Sequence, residues 1–542
     1  MKKILVILII LVITIPSFFR MLKPGIFSTQ DFHLFRLAEF DKCISDFQIP
    51  CRWAPDAGAG FGEPVFNFYG QLSYTIGESF HLAGFSKIDS IKILFILSLA
   101  LSAISMFALA KKIWGDNLSA LLSSVIYIYA PYRAVDIWVR GALPEAFCFI
   151  LFPLVILQIE NYLEKQKKKN LLLFGLFFAI LILTHNLSVI LFLPFLVIWT
   201  IYRLFFYKKP KLLINLAFAA VFSFLISSFY LLPVIFESKF INLQSTTLGF
   251  FDWRAHFVTL NQLFISRFWG YGASVWGPED GLSLSVGQIQ WTIPIIILAF
   301  VLFKLFKSKS LNEKDANFLV IFSVGVLALF LTHNKSTFLW NHLSFLSFIQ
   351  FPWRFLGLAV FSFSLASGEL LKYIKIFKIP IYLIVIFTVI LLNFQFFRED
   401  IWFNVKDTDT EIGSSWTESK FASLPDYWPK YGPLPTKEAP SETDDIKLIS
   451  KKSSTQTFEL KNINKQLEFP ISYFPGWQIS YNGKNINPSP SQNGLISAYI
   501  PDSPTKEVFL TFKNTSVRTI GNLISLISII SWIVIFIIKY EA

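Results

Sequence analysis

The feature that most constrains this chain is a series of apolar runs, each close to the roughly 20 residues that cross a hydrocarbon core. The first, Ile4 to Phe19, shows no small-x-small pattern before Arg20, so it is expected to stay as a helix rather than act as a cleaved signal. In order, the runs predict spans near 4–22, 91–110, 117–132, 142–161, 171–185, 187–206, 212–235, 291–307, 317–333, 352–371, 380–397 and 519–538. Inside a bilayer such a segment must satisfy its own backbone polar groups, which makes it a helix. Segments 71–85 and 336–350 are amphipathic and are expected to lie in the interface. Composition agrees, with 54% hydrophobic residues, 15% charged and 61 phenylalanines. The fold class is an all-α polytopic membrane bundle of about 12 helices.

Lysine sets the expected orientation. With the N-terminal Lys2 and Lys3 in the cytoplasm, the clusters Lys111/Lys112, Lys165/Lys167/Lys168/Lys169, Lys208/Lys209/Lys211, Lys304/Lys307/Lys309/Lys314, Lys372/Lys375/Lys378 and Lys539 all fall on that side. The net charge of +12 is then mostly a topology signal. Basic residues in short turns, rather than on one soluble face, argue against a nucleic-acid partner.

Arginine is distributed the opposite way. Arg203 alone lies in a cytoplasmic turn, while Arg20, Arg36, Arg52, Arg133, Arg140, Arg254, Arg267, Arg354, Arg398 and Arg518 map to outer loops or outer helix ends. Arginine offers a planar fork of donors that binds phosphate or carboxylate and stays charged. Interface anchoring and pairing with outer acids is the plain alternative for any one of them.

The outer loops expected at 23–90, 133–145, 236–290 and 334–351 carry the polar chemistry. The first holds Asp31, His33, Arg36, Arg52, Asp56 and Glu63 among glycine, proline and aromatic residues, which a plain connector would not need. In the second, Arg133, Asp136 and Arg140 have helical spacing and suit a salt-bridged helix, and Glu145 enters the membrane after Gly141 and Pro144. Thr184-His185-Asn186 and Thr332-His333-Asn334 end two outward-going helices, and His333 is expected to be an interfacial cap. The fourth loop mixes Asp252, Trp253, Arg254 and His256 with RFWGYGASVWGPEDG, a composition that suits carbohydrate as well as a headgroup-level aromatic belt. Arg354 opens a span behind Pro352.

Residues 399–518 are polar, with short alternating runs such as TFEL and VFLTF. Asn482-Gly483 and Asn493-Gly494 are hairpin signals, so a small extracytoplasmic β-rich domain, a sandwich, is expected ahead of a final transmembrane helix at 519–542. Cys43 and Cys51 share one outer loop and are placed to pair if that side is oxidising, whereas Cys148 reads as packing. No zinc spacing, P-loop or dinucleotide fingerprint is present.

A first helix followed by a large outer loop with Asp-x-His resembles the GT-C superfamily of membrane glycosyltransferases, which use lipid-phosphate-linked sugars. More narrowly, DFHLFRLAEF, IPCRWAPDAGAGFGEPVFNFYGQLSY, VRGALPEAF, LTHN and QFPWRFL resemble bacterial membrane proteins carrying a domain labelled as related to 6-pyruvoyl-tetrahydropterin synthase. The narrow likeness covers most of residues 1–400, although the chain has no histidine-ligated zinc features of pterin chemistry. The resemblance to the superfamily implies a catalytic acid at Asp31. Where that motif often has a second acid, this chain has His33, so a divalent metal ion held by Asp31 and His33 stays open.

The expectation is an inverting, GT-C-like transfer of a sugar from a polyprenyl-phosphate donor to a glycan, lipid or protein acceptor, on the outer face of the cytoplasmic membrane. Asp31 would be the base and His33 its partner, with Arg36, Arg52, Arg133, Arg140 and Arg354 as phosphate clamp. Glu63, Glu145, His185, Trp253 and Arg254 complete the candidate site within a membrane domain of residues 1–398. A transporter or flippase of an anionic lipid or glycolipid, or a non-catalytic envelope-assembly protein, are the alternatives.

Overall fold

The computed structural model describes residues 3–538 other than Asp31, Pro278, Lys375, Ser423, Pro425 and Asp426. Expectations placed on Asp31, Lys2, Lys375 and Lys539 therefore lie outside the described residues. Every predicted span is helical. Among the described residues nine helices are long and apolar enough to cross a membrane, and two bent pairs bring the number to eleven. The remaining predicted span, Lys168–Thr184, has 17 residues, at the short end of what crosses.

The helices sort into central and peripheral ones. Leu143–Lys165 and Pro352–Tyr373 are 83% and 94% buried over their apolar windows, against 17% for Ser516–Ile537 and 28% for Ile4–Leu22. Peripheral helices turn Phe306, Phe387 and Ile527 outward, the arrangement expected where the surroundings are lipid. The bends were not expected. Asn117–Ile128 and Pro131–Val139 meet at 50°, and Leu212–Ile226 and Ser228–Phe240 meet at 75°. Pro131 opens its segment at the first helical position, where a missing N–H costs nothing. The chain then widens into a π-turn over Val135–Val139, a device frequent near functional sites.

The lysine turns gather at one end. Lys112 meets Glu164, Lys372 meets Asp315 at 2.6 Å and Lys378 meets Asp116 at 3.5 Å. The long loops gather at the other end. There, Leu72–Leu82 and the short helices of 337–349 are separate elements, in keeping with an interfacial placement.

Strands occupy less of the polar region than expected. Residues 407–410 and 413–422 are helical, and the sandwich spans only 446–512. We number its strands β1 (Ile446–Lys451), β2 (Thr455–Leu460), β3 (Lys465–Ser472), β4 (Trp477–Tyr481), β5 (Lys484–Ile486), β6 (Ser489–Pro490), β7 (Leu495–Ile500) and β8 (Glu507–Phe512). One sheet has the order β1-β2-β8-β4-β5 and the other β3-β7-β6. Phe458, Ile479, Val508 and Leu510 from the first meet Phe469 and Ile496 from the second in one core. Asn482 and Gly483 both take positive φ, 48° and 72°, as the two-residue hairpin between β4 and β5 requires.

The sandwich is bolted to the first loop. Trp53 enters its core beside Trp477 and Phe512, and Cys43 is bonded to Cys51 just before it. Asp56 bridges Lys42 at 2.6 Å and Lys451 at 2.8 Å. Burial alone would push the Asp56 carboxyl up, but Lys451 and Lys42 override it and hold the group well below the usual carboxylate range.

Candidate functional site

At the loop-rich end a cavity of about 810 Å³ collects residues from the first five loops and the segment before the sandwich. Gln30, Phe32, Arg36 and Tyr69 come from the first loop, Arg140 and Glu145 from the second, and His185 from the third. Phe250 and Phe251 come from the fourth, Phe345, Phe348 and Arg354 from the fifth, and Leu424 and Tyr427 from the polar region. Among the described residues its lining carries three arginines against one carboxylate, a balance that favours an anion.

Each of these arginines lies on an aromatic ring. The guanidinium carbon of Arg36 is 4.2 Å from the Tyr69 ring centre, that of Arg140 is 4.6 Å from Trp353, and that of Arg354 is 5.0 Å from Phe351. Stacking fixes the plane of the fork and leaves its edge for hydrogen bonds. Arg140 spends one nitrogen on three oxygens, Asp136 Oδ1 at 2.7 Å, Glu145 Oε2 at 3.0 Å and Tyr132 Oη at 3.4 Å. Tyr132 in turn donates to Glu145 Oε1 at 2.6 Å. Arg354 donates from Nη1 to the Ile349 carbonyl and to Gln350, while its buried Nε has no hydrogen-bond partner among the described residues. A buried donor without a hydrogen bond is costly, and the Glu145 carboxylate, 4.0 Å away, meets Nε only as an ion pair.

Close backbone approaches bring these loops together. Gly141 has φ of +63°, and a Cβ there would sit 2.5 Å from Thr29 Cβ. A Cβ on Gly70 would sit 2.2 Å from the Thr184 carbonyl oxygen, so glycine lets the first loop touch the turn that bears His185. His185 Nδ1 is 2.7 Å from Ser188 Oγ. His33 is buried, with Nδ1 2.7 Å from Tyr74 Oη and Nε2 against the Gly141 carbonyl and the Leu143 N–H. It thus pins the 141–143 turn to the helix His33–Ser45. Both ring nitrogens being engaged, His33 does not fit the role of metal ligand in this arrangement. Among the described residues no group of three or more His, Cys, Asp or Glu is placed to hold a metal ion.

The other candidates lie elsewhere. Arg52 is buried on Asn67, Asn522 and the Phe229 carbonyl, at the foot of the last helix. Arg133 is buried in its span, 3.9 Å from the Phe149 ring centre and on Ser102. The salt-bridged helix expected of Arg133, Asp136 and Arg140 therefore forms only between the last two. Glu63 is buried beneath Gly58, paired in a bridge with Ala54. Trp253 stacks on Trp340 at 5.3 Å, and Arg254 lies exposed on Trp253 beside Asp252. The cationic set facing the cavity is accordingly Arg36, Arg140 and Arg354. His333 caps, accepting the Lys335 N–H at 3.2 Å. Sequence reasoning did not place Tyr69, Tyr132 and Gln350 in the site, though Tyr69 adjoins Gly70, Tyr132 adjoins Arg133 and Gln350 stands four residues before Arg354.

Residues 71–227 match the family model described as dolichyl-phosphate-mannose-protein mannosyltransferase, a stretch ending at the bend at Ser227. No curated protein sequence matches the chain. Among solved structures, ArnT from Cupriavidus metallidurans bound to undecaprenyl phosphate is similar at 12% identity and TM-score 0.42, over 72% of this chain and 63% of its own. The arabinofuranosyltransferase AftD from Mycobacteria is similar at 13% identity and TM-score 0.39, over 72% of this chain and 26% of its own. The Archaeoglobus fulgidus oligosaccharyltransferase in complex with zinc and sulfate is similar at 10% identity and TM-score 0.43, over 81% and 58%. The chain spans less than two thirds of the length of each of these proteins.

Proposed function

We propose that the chain is a GT-C-type membrane glycosyltransferase that takes a sugar from a polyprenyl-phosphate donor in the 810 Å³ cavity. The observation that carries the reading is the convergence of Arg36, Arg140 and Arg354 from three loops on one cavity whose wall includes Phe250, Phe345 and Phe348. Cations suit the phosphate, and the apolar wall suits a prenyl chain arriving from lipid. The family match over residues 71–227 supports the same reading.

In the proposed step an acceptor hydroxyl attacks the anomeric carbon from the face opposite the phosphate, so the product is inverted. The bond from that carbon to the phosphate oxygen breaks, and the departing phosphate keeps the electron pair. Arg140 and Arg354 meet the growing charge with donors already oriented by their rings. The acceptor proton passes to Asp31, whose chain neighbours Gln30 and Phe32 both line the cavity. Glu145 holds Arg140 and Tyr132 in place. The loop-rich end is proposed to face away from the cytoplasm. Lys484→Cys and Lys168→Cys, both at exposed positions, test this by labelling of intact cells.

The test of function gives purified protein a panel of polyprenyl-phosphate sugars and follows product by mass spectrometry. Wild type is expected to transfer sugar, and Asp31→Asn to lose turnover while still binding lipid. An equally active asparagine variant would remove Asp31 from the mechanism. The two bent helix pairs favour one rival, since broken helices serve transporters. Lipid movement between leaflets with no transfer from any donor would establish that rival instead.

A further inference from the structure

A second opening, of about 480 Å³, is lined by Ser238, Lys239, Ile241, Asn242, Leu243 and Lys430. Ser238, Ile241 and Leu243 also line the main cavity, so the two spaces share a wall. Among the described residues this opening is lined by two lysines and no carboxylate, and neither lysine makes an ion pair. We propose that this opening is the acceptor's entrance, and that it selects an acceptor bearing a phosphate. The inference rests on the transferase reading above and adds the charge of the second substrate.

The two lysines are held by separate supports. Lys239 stands two residues after Glu237, which is fixed by Arg518 Nε at 2.8 Å, Thr515 at 2.6 Å and Asn67 at 2.7 Å. Lys430 stands on a segment clamped from two directions. On one side Pro429 bridges Ile241, the Asn242 N–H reaches the Trp428 carbonyl at 3.0 Å, and the Lys430 N–H reaches the Phe240 carbonyl at 3.1 Å. On the other, Tyr431 packs edge-on to Tyr473 of the sandwich at 5.0 Å, and Gly432 lies against Gly494 so closely that a Cβ would have no room. A cation from the bent membrane helix and one from the pre-sandwich segment are thus fixed on one opening. The prenyl-facing wall of Phe345 and Phe348 does not line this opening. An acceptor entering by the lysines can therefore meet the donor without crossing the donor's chain.

The test uses the full chain in nanodiscs of neutral lipid and a fluorescent oligosaccharide with and without a single phosphate, read by polarisation. Wild type is expected to prefer the phosphorylated probe by about fivefold at low salt, the amount two partly exposed charge contacts supply. Raised ionic strength should erode the preference. Lys239→Gln with Lys430→Gln should abolish it, and the double arginine variant should keep it. Equal binding of both probes to wild type, or an undiminished preference in the double glutamine variant, overturns the proposal. Nanodiscs containing phosphatidylglycerol form a second arm. If they compete with the probe in wild type but not in the double glutamine variant, the phosphate is lipid-borne; if they do not compete, it belongs to a soluble glycan. Because the assay needs no turnover, a missing preference beside intact transfer sinks this inference alone. Intact preference without transfer leaves a phosphate site but sinks the transferase reading, and with it the role of the opening as an acceptor's entrance.

Discussion

Arg203, buried at the lysine-rich end, and Arg140 with Arg354, half-buried at the loop-rich end, are arginines that meet glutamate, and they are built for different ends. All five donors of Arg203 are used. Nε and Nη2 bind Glu160 at 2.9 Å each, Nη1 binds Glu313 at 2.9 Å and Asn317 at 3.0 Å, and Nη2 also binds Tyr207 at 2.8 Å. Arg140 uses only Nη1, and Arg354 uses only Nη1 for hydrogen bonds among the described residues. The first cluster joins three helices and lines none of the cavities described above. The second borders 810 Å³. A fork with every donor met is a structural bolt, whereas a stacked fork with donors to spare is a receptor for an anion.

Removing the bolt should have the largest effect on folding. Arg203→Met leaves Glu160 buried without its cation, so unfolding should become easier by about 3–5 kcal/mol. Chemical unfolding in detergent measures this, and a loss below about 1 kcal/mol would make the two clusters alike.

Arg354→Lys sharpens the contrast from the other side. Charge is kept but the planar fork is lost, so turnover of a polyprenyl-phosphate sugar should fall on the order of 100-fold, about 2.7 kcal/mol. Stability should move far less than in Arg203→Met. A variant that turns over normally would show the fork to be dispensable.

Glu78 offers a smaller, pH-dependent check, since it is a buried acid with no arginine at all. Burial, then the charge of Asp41, pushes its carboxyl up to about 7 from the ordinary 4.5. Between those values the folded chain holds more protons than the unfolded one, so this contribution to stability is complete below about 4.5 and is lost as pH rises through about 7. Thermal unfolding from pH 4.5 to 8 should show that decline, and Glu78→Gln should flatten it. An unchanged slope in the variant would exclude Glu78 as its source.

The helices were legible because a membrane imposes length and apolarity on each segment independently of its partners. The hairpin at Asn482-Gly483 was legible for a similar reason, since two consecutive positive φ angles restrict residue choice locally. The cap at His333 was too. What the sequence could not separate was Arg133 from Arg140. They stand seven residues apart in one loop, yet Arg133 is enclosed by Ser98, Ser102 and Phe149, which belong to neighbouring helices. The bend at Ser227 was likewise hidden, because no proline or glycine marks it. The cavity itself depends on Arg354 lying near Glu145, with 4.0 Å between Nε and Oε2, a proximity set by packing across two hundred residues of chain.

Binding of a polyprenyl phosphate in nanodiscs, compared across wild type, Arg140→Lys with Arg354→Lys, and Arg203→Met, separates the bolt from the receptor. The cavity double variant should bind at least about tenfold more weakly, a change of about 1.4 kcal/mol. The folded fraction of Arg203→Met should bind as wild type does. Unchanged binding in the double variant, or an equal loss in folded Arg203→Met, would contradict the division between bolt and receptor.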